Sequence, residues 1–231
     1  MSEWWTYALS DFLLFSPRVY YRIFELHNRA LWPAHVVTLI LGVTIFLLLL
    51  LRKPTHATAR AVPALLGALW IWIAWAFFWD RYAIINWAAL YVAPAFALQG
   101  LLLLWIGTVG RRLTFAPGHD VFDRAGLALL AFALVGYPLL APLMGRPWLA
   151  AEVFGIAPDP TVVATLAVLA LAHGRARWLT TPIPLLWCGI TGATLWTMEA
   201  GDFFVAPVAA LLAATIAYAP RPRPATVSRR D

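Results

Sequence analysis

Charged residues in this chain are confined to short gaps between apolar runs, and the two signs favour alternate gaps. An ionised side chain at the centre of a bilayer is costly, so a chain built this way places its gaps at water and its runs in hydrocarbon. The runs cover residues 32–51, 61–79, 84–109, 125–144, 160–172, 181–198 and 203–219. Most approach the ~20 residues that a helix needs to cross a hydrocarbon layer of about 30 Å. Composition agrees. With 62% hydrophobic residues and a mean hydropathy of +0.77, the chain carries more apolar surface than a soluble core of this length can bury.

The sequence therefore predicts an all-α, polytopic membrane protein: a seven-helix transmembrane bundle preceded by an N-terminal interfacial helix. The division is 1–31 for the amphipathic segment, 32–219 for the bundle and 220–231 for a basic tail. The tail reads as disordered and drawn to anionic lipid. The fifth run is the shortest. Asp159 can cap it with Pro160 in the first turn, and residues 173–178 can snorkel at its far end.

Orientation follows from the basic residues. Twelve of the seventeen fall in four segments on one side: Arg52, Lys53 and Arg60; Arg111, Arg112 and Arg124; Arg175 and Arg177; and the four arginines after 220. Arg18, Arg22, Arg29, Arg81 and Arg146 fall on the other. Basic loops are retained in the cytoplasm, which puts the C-terminus inside and the N-terminus outside. Without the fifth span the later basic segments would move outside. Eight of the eleven carboxylates take the outer side, a field able to gather cations there, although exclusion of acids from basic loops gives the same pattern. No basic region precedes an apolar core at the N-terminus, so no secretory signal is predicted.

Ser16–Pro17 is a cap and first-turn pair, and Val19, Ile23, Leu26 and Ala30 form one stripe behind it. This segment is either an interfacial helix with that stripe in lipid or a lid over the outer ends of the bundle, and Pro33 allows the turn into the first span. Residues 145–160 read as a short interfacial helix on the outer face.

Polar residues inside apolar runs carry the functional signal, because their desolvation has to be offset by partners. Depth places His35, Asp80, Arg81, Asn86, Glu199 and Asp202 in the outer third, where an outward-opening polar vestibule would gather them, with Gln99 near the barrier. Each also has a plainer reading. Asp80 and Arg81 suit a local ion pair, Gln99 suits a bond to a neighbouring carbonyl, and His35 suits a satisfied bundle histidine as well as a proton relay or cation ligand. Trp72, Trp75 and Trp79 share a helical face and form an aromatic wall, either towards a ligand or within the bundle packing. Trp4, Trp5, Trp32, Trp79, Trp87, Trp148 and Trp196 fall near the outer boundary, as an aromatic belt would.

Several chemistries are argued down. A retinal Schiff base needs an embedded lysine, and the one lysine, Lys53, is in a loop. Haem between two histidines is argued down because His56, His119 and His173 lie in or beside inner loops and only His27 and His35 are outer; Cys188 is alone, and no metalloprotease, phosphate-loop or hydrolase signature is present. No catalytic residue, metal ligand or cofactor is assigned, and nothing points to nucleic acid.

The segments EWWTYALSDFLLFSPRVYYRIFELHN at 3–28, WDRYAIINWAALY at 79–91, GRPWLAAEVFGIAPDPT at 145–161 and PLLWCGITGATLW at 184–196 resemble an uncharacterised family of bacterial multi-pass membrane proteins with a permease-like label. The resemblance implies a bacterial inner-membrane location and supplies no substrate or site residues. Two functions are carried forward: a small-solute or ion permease, taking a small cation or small molecule through the vestibule, and a non-transporting scaffold, sensor or accessory subunit. The lipid bilayer is the expected partner of both, with a homo-oligomer or a membrane complex as further partners.

Overall fold

The computed structural model describes residues 15–51, 56–115 and 120–219. Lys53, His119, Trp4, Trp5 and the basic tail at 220–231 lie outside the described residues. Within them the chain is all-helical, and the only β pairing is two isolated bridges, Thr114 with His173 and Phe154 with Ala157.

Ser16 starts α1 (Pro17–Leu31): its hydroxyl accepts from the Val19 amide at 3.4 Å, with Pro17 in the first turn. A break at Trp32–Pro33 leads into α2 (Ala34–Leu50), bent by 93° from α1. Next come α3 (His56–Ile73), continued by a π-helical stretch Ala74–Trp79, and α4 (Ala89–Leu102), continued likewise over Leu103–Val109. α5 (Val121–Ala131) passes through π-helical Phe132–Gly136 into α6 (Tyr137–Leu143). α7 (Pro158–Leu171), α8 (Pro182–Thr197) and α9 (Val205–Tyr218) complete the bundle.

The centre of the molecule is α7. All fourteen of its residues are buried, and α3, α5, α8 and α9 surround it. α3 and α4 pack tightly where Gly67 and Gly100 face each other. A Cβ at Gly67 would stand 2.8 Å from the Gly100 carbonyl oxygen, and one at Gly100 2.6 Å from that of Gly67. Only glycine lets the two backbones approach so closely.

Three continuous helical segments are long and apolar enough to cross a membrane: residues 56–84, 89–109 and 121–143. A fourth is reached only if α1 and α2 count as one bent span. The seven-span expectation is corrected accordingly. Hydropathy marks where a run is apolar, but α7, α8 and α9 close after 14, 16 and 14 residues, short of a full crossing.

The buried face of α1 is Tyr20, Ile23, Phe24, His27 and Asn28, so the helix is seated on the bundle, while Val19 and Leu26 of the expected stripe stay 41% and 44% exposed, as a stripe turned to lipid would be. Aromatic packing decides this, since Tyr20 and Phe24 sit in a ring cluster with Phe77 and Tyr82. Residues 145–157 hold a single 3₁₀ turn, Trp148–Ala150, rather than a surface helix. Ala150, Ala151, Phe154, Ile156 and Ala157 are buried there, because their apolar side chains close the α1 end of the bundle.

Candidate functional site

Asp159 stands in the first turn of the central helix and is buried, but it does not cap that helix. Pro158 and Pro160 flank it and have no amide hydrogens to offer, so its carboxylate turns to other elements. Oδ1 accepts from Trp187 Nε1 at 2.7 Å and from Thr191 Oγ1 at 2.9 Å on α8, and Oδ2 accepts from the Tyr137 hydroxyl at 3.2 Å on α6. Three donors from two helices hold one carboxylate. Aromatic packing sets the indole among them: Trp187 meets Phe78 and Phe96 edge-on at 5.0 and 5.2 Å.

Glu152, seven residues before Asp159 in the connection leading into α7, is buried, and its Oε2 is enclosed without a hydrogen-bond partner. Burial pushes the Glu152 carboxyl well above the usual carboxylate range, and the Asp159 carboxylate pushes it further. Arg146 opposes that shift from the same connection. Its guanidinium pairs with Asp202 from the turn after α8, and it also lies 4.3 Å from the centroid of the Tyr21 ring. Both partners of the ion pair are largely enclosed, at 12% and 6% side-chain exposure, and Asp202 Oδ1 lacks a hydrogen-bond partner.

A second polar layer fastens α1 over this cluster. Asn28 Nδ2 donates to the carbonyls of Leu149 at 2.7 Å and Ala151 at 2.8 Å, and its Oδ1 lies 3.0 Å from His35 Nε2. The His27 ring nitrogen Nε2 is 3.3 Å from the Ile156 carbonyl, and burial lowers the His27 pKa to about 4. A neutral imidazole therefore sits over the connection.

The residues expected to line one vestibule are dispersed. His35 joins the Asn28 layer, and Asp202 joins the buried cluster. Asp80 and Arg81 form an exposed local pair at 3.2 Å, and Asn86 Oδ1 accepts from the amide of Ala88 two residues on. Glu199 is exposed in the turn after α8, with φ at +55°. Gln99 is fully buried towards the opposite end, donating to the Thr180 carbonyl at 2.8 Å. Of the tryptophan wall, Trp75 and Trp79 turn outward at 59% exposure each, while Trp72 is half-buried against the core. The π-helical stretch rotates the register, so Ile73, Ala74, Phe77 and Phe78 take the interior.

Arg146, Glu152, Asp159, Tyr137, Trp187 and Thr191 are the polar residues that depth alone left ungrouped. The available signal was Glu152 within a strongly apolar connection, since AAEVFGIAP is not the composition of a solvated loop. Among the described residues no three His, Cys, Asp or Glu side chains converge as metal ligands. The cluster is a set of buried carboxyls with donors, suited to holding and passing protons.

The sequence pattern of a family of unknown function (DUF6064) matches residues 17–226, nearly the whole chain. No curated protein and no solved structure matches it.

Proposed function

We propose that this chain, which belongs to the DUF6064 family of unknown function, is an integral membrane protein of the bacterial cytoplasmic membrane that moves protons or a proton-coupled small solute. The membrane reading is supported by the three long apolar helices and by large apolar side chains on the outside of the bundle, such as Ile40, Val43, Leu101, Trp105, Val135 and Leu211. A short α7 is compatible with it, because a helix sheathed by protein meets no lipid and need not match the bilayer. Charge sorting supports an outer location for the α1 end and an inner one for the basic C-terminus.

The observation that carries the transport reading is the Glu152–Asp159 pair. Asp159 is held by three donors, while Glu152 keeps an enclosed oxygen with no partner and feels the Asp159 charge. Two buried carboxyls coupled through their charges and held in different environments titrate as a pair, which suits them to taking up and releasing a proton. The test is proton movement by the purified full chain in liposomes, followed with an internal pH dye under an imposed potential. The wild type should exceed empty liposomes, and Glu152→Gln should lower the rate at least tenfold while keeping the fold. Wild-type flux equal to that of empty liposomes, or an unchanged rate in Glu152→Gln, would overturn the proposal.

One observation favours the accessory-subunit reading. An apolar groove of about 610 Å³ runs between α2 and α5–α6, lined by Leu39, Val43, Phe46, Leu134, Val135 and Trp148, and it has the form of a helix-docking face. A stoichiometric membrane partner retained through purification, together with no proton flux, is the result that reading expects.

A further inference from the structure

Five arginines among the described residues belong to the α1 end of the bundle: Arg18, Arg22, Arg29, Arg81 and Arg146. Arg146 is committed to Asp202. Of the other four, Arg18, Arg22 and Arg81 line one open cavity of about 680 Å³, between α1 and residues 81–85. Arg18 and Arg22 lie one turn apart on α1, so their side chains share a face, and Arg81 approaches from the turn between α3 and α4. The rest of the lining is mostly apolar. Val19, Leu26 and Ile84 are 41%, 44% and 76% exposed, and they lead from the arginines out along the surface.

Carboxylates only partly offset this charge. Glu25, which also lines the cavity, pairs with Arg22, and Asp80 pairs with the Nε of Arg81. Both pairs have at least one exposed partner, so they cost little to rearrange. Each guanidinium also keeps further donors free for a second acceptor. Arg18 pairs with no carboxylate among the described residues. Guanidinium forks match phosphate oxygens in geometry and charge. A soluble anion bound here would leave Val19, Leu26 and Ile84 in water, whereas an amphiphile would cover them with its chain.

We propose that this groove binds an anionic glycerophospholipid, its phosphate on Arg18, Arg22 and Arg81 and an acyl chain along Val19, Leu26 and Ile84. The site rests on the membrane reading above and is independent of proton movement. It would fix α1 at the interface through a lipid as well as through its buried face.

The test is native mass spectrometry of the full chain released from detergent, with phosphatidylglycerol, phosphatidylethanolamine or inorganic phosphate added in turn. The wild type should retain one phosphatidylglycerol at least tenfold more strongly than phosphatidylethanolamine, and millimolar phosphate should not displace it. The R18Q/R22Q/R81Q triple should lose that preference, while Arg29→Gln, outside the groove, should keep it. Equal retention of the two lipids, displacement by free phosphate, or an unaltered triple would each overturn the site. Should the triple not fold, Arg18→Gln alone, at an exposed position, should still cut retention severalfold, and no change there would be equally decisive. Recovery of the chain in the soluble fraction after membrane isolation would instead strike at the membrane reading.

Discussion

The two ends of the bundle solve the problem of buried polar groups differently. At the α1 end, side chains meet side chains as well as backbone: Asp159 with Tyr137, Trp187 and Thr191, Arg146 with Asp202, and Asn28 with His35 and with the Leu149 and Ala151 carbonyls. Around Thr180 at the opposite end, side chains meet backbone. Gln99 donates to the Thr180 carbonyl, Arg177 donates to the carbonyls of Ala172 and Ala217, and Thr180 and Thr181 both donate to the Arg177 carbonyl. Carbonyls do not titrate, so the second arrangement is a latch that closes loops onto helices. Carboxyls do, so the first holds groups whose charge can change. That contrast locates the candidate chemistry at the α1 end.

Loss of one partner from the buried ion pair should show the contrast most strongly. Arg146→Ala leaves the Asp202 carboxylate enclosed and uncompensated, a change that costs about 3–5 kcal/mol. The unfolding midpoint in detergent should fall accordingly, and removal of both charges in Arg146→Met with Asp202→Leu should recover much of the loss. A single variant with an unshifted midpoint would show that the pair contributes no structural constraint. Asp159→Ala comes next. It strands three buried donors at roughly 1 kcal/mol or more each, so a loss near 3 kcal/mol is expected in the same measurement. Asp159→Asn, which keeps the shape and part of the bonding, should lose less.

How far each end could be read in the sequence follows from the range of its interactions. The start of α1 is local: Ser16 and Pro17 announce it, and the cap forms three residues away. Gln99 was legible as a polar group inside an apolar run that bonds a nearby carbonyl. Asp159 was read as a helix cap because that is what an acid before a run does locally. Its actual partners come from 22, 28 and 32 residues away, and no periodicity encodes them. Arg146 and Asp202, 56 residues apart, were sorted into the same outer layer without any sign that they touch. Depth was recoverable, whereas the rotation of each helix about its axis was not. Trp75 and Trp79 face outward for that reason, since π-helical turns at 74–79 shift which residues face inward.

The pH response separates the ends again. His27 has its folded pKa lowered to about 4 by burial, against an ordinary value near 6.5. Between these values the unfolded chain binds more protons than the folded one, so the contribution of His27 to stability is complete above pH 6.5 and is lost as pH falls towards 4. Glu152 works in the opposite sense. Its raised folded pKa favours the folded state at low pH, and that contribution fades as pH rises above the ordinary carboxylate value. The wild-type profile mixes both, and a comparison with His27→Gln isolates the first. Relative to that variant, the wild type should lose about 1 kcal/mol between pH 7 and pH 5.5, read from unfolding midpoints at each pH. Parallel profiles would mean that the imidazole titrates normally despite its burial.

The smallest effect belongs to the latch end. Gln99 is fully buried, with Nε2 on the Thr180 carbonyl and Oε1 lacking a partner, so its amide is only half satisfied. Gln99→Leu removes the bond together with the unsatisfied oxygen, and leaves the Thr180 carbonyl its remaining surroundings. A single interhelical hydrogen bond of this kind within a membrane contributes about 0.6 kcal/mol on average. Loss of the unsatisfied oxygen offsets part of that, so the unfolding midpoint should move little, and proton movement in liposomes should be unaltered. A Gln99→Leu chain that keeps its midpoint but stops moving protons would place the barrier at Gln99 and end the assignment of the chemistry to the α1 end alone.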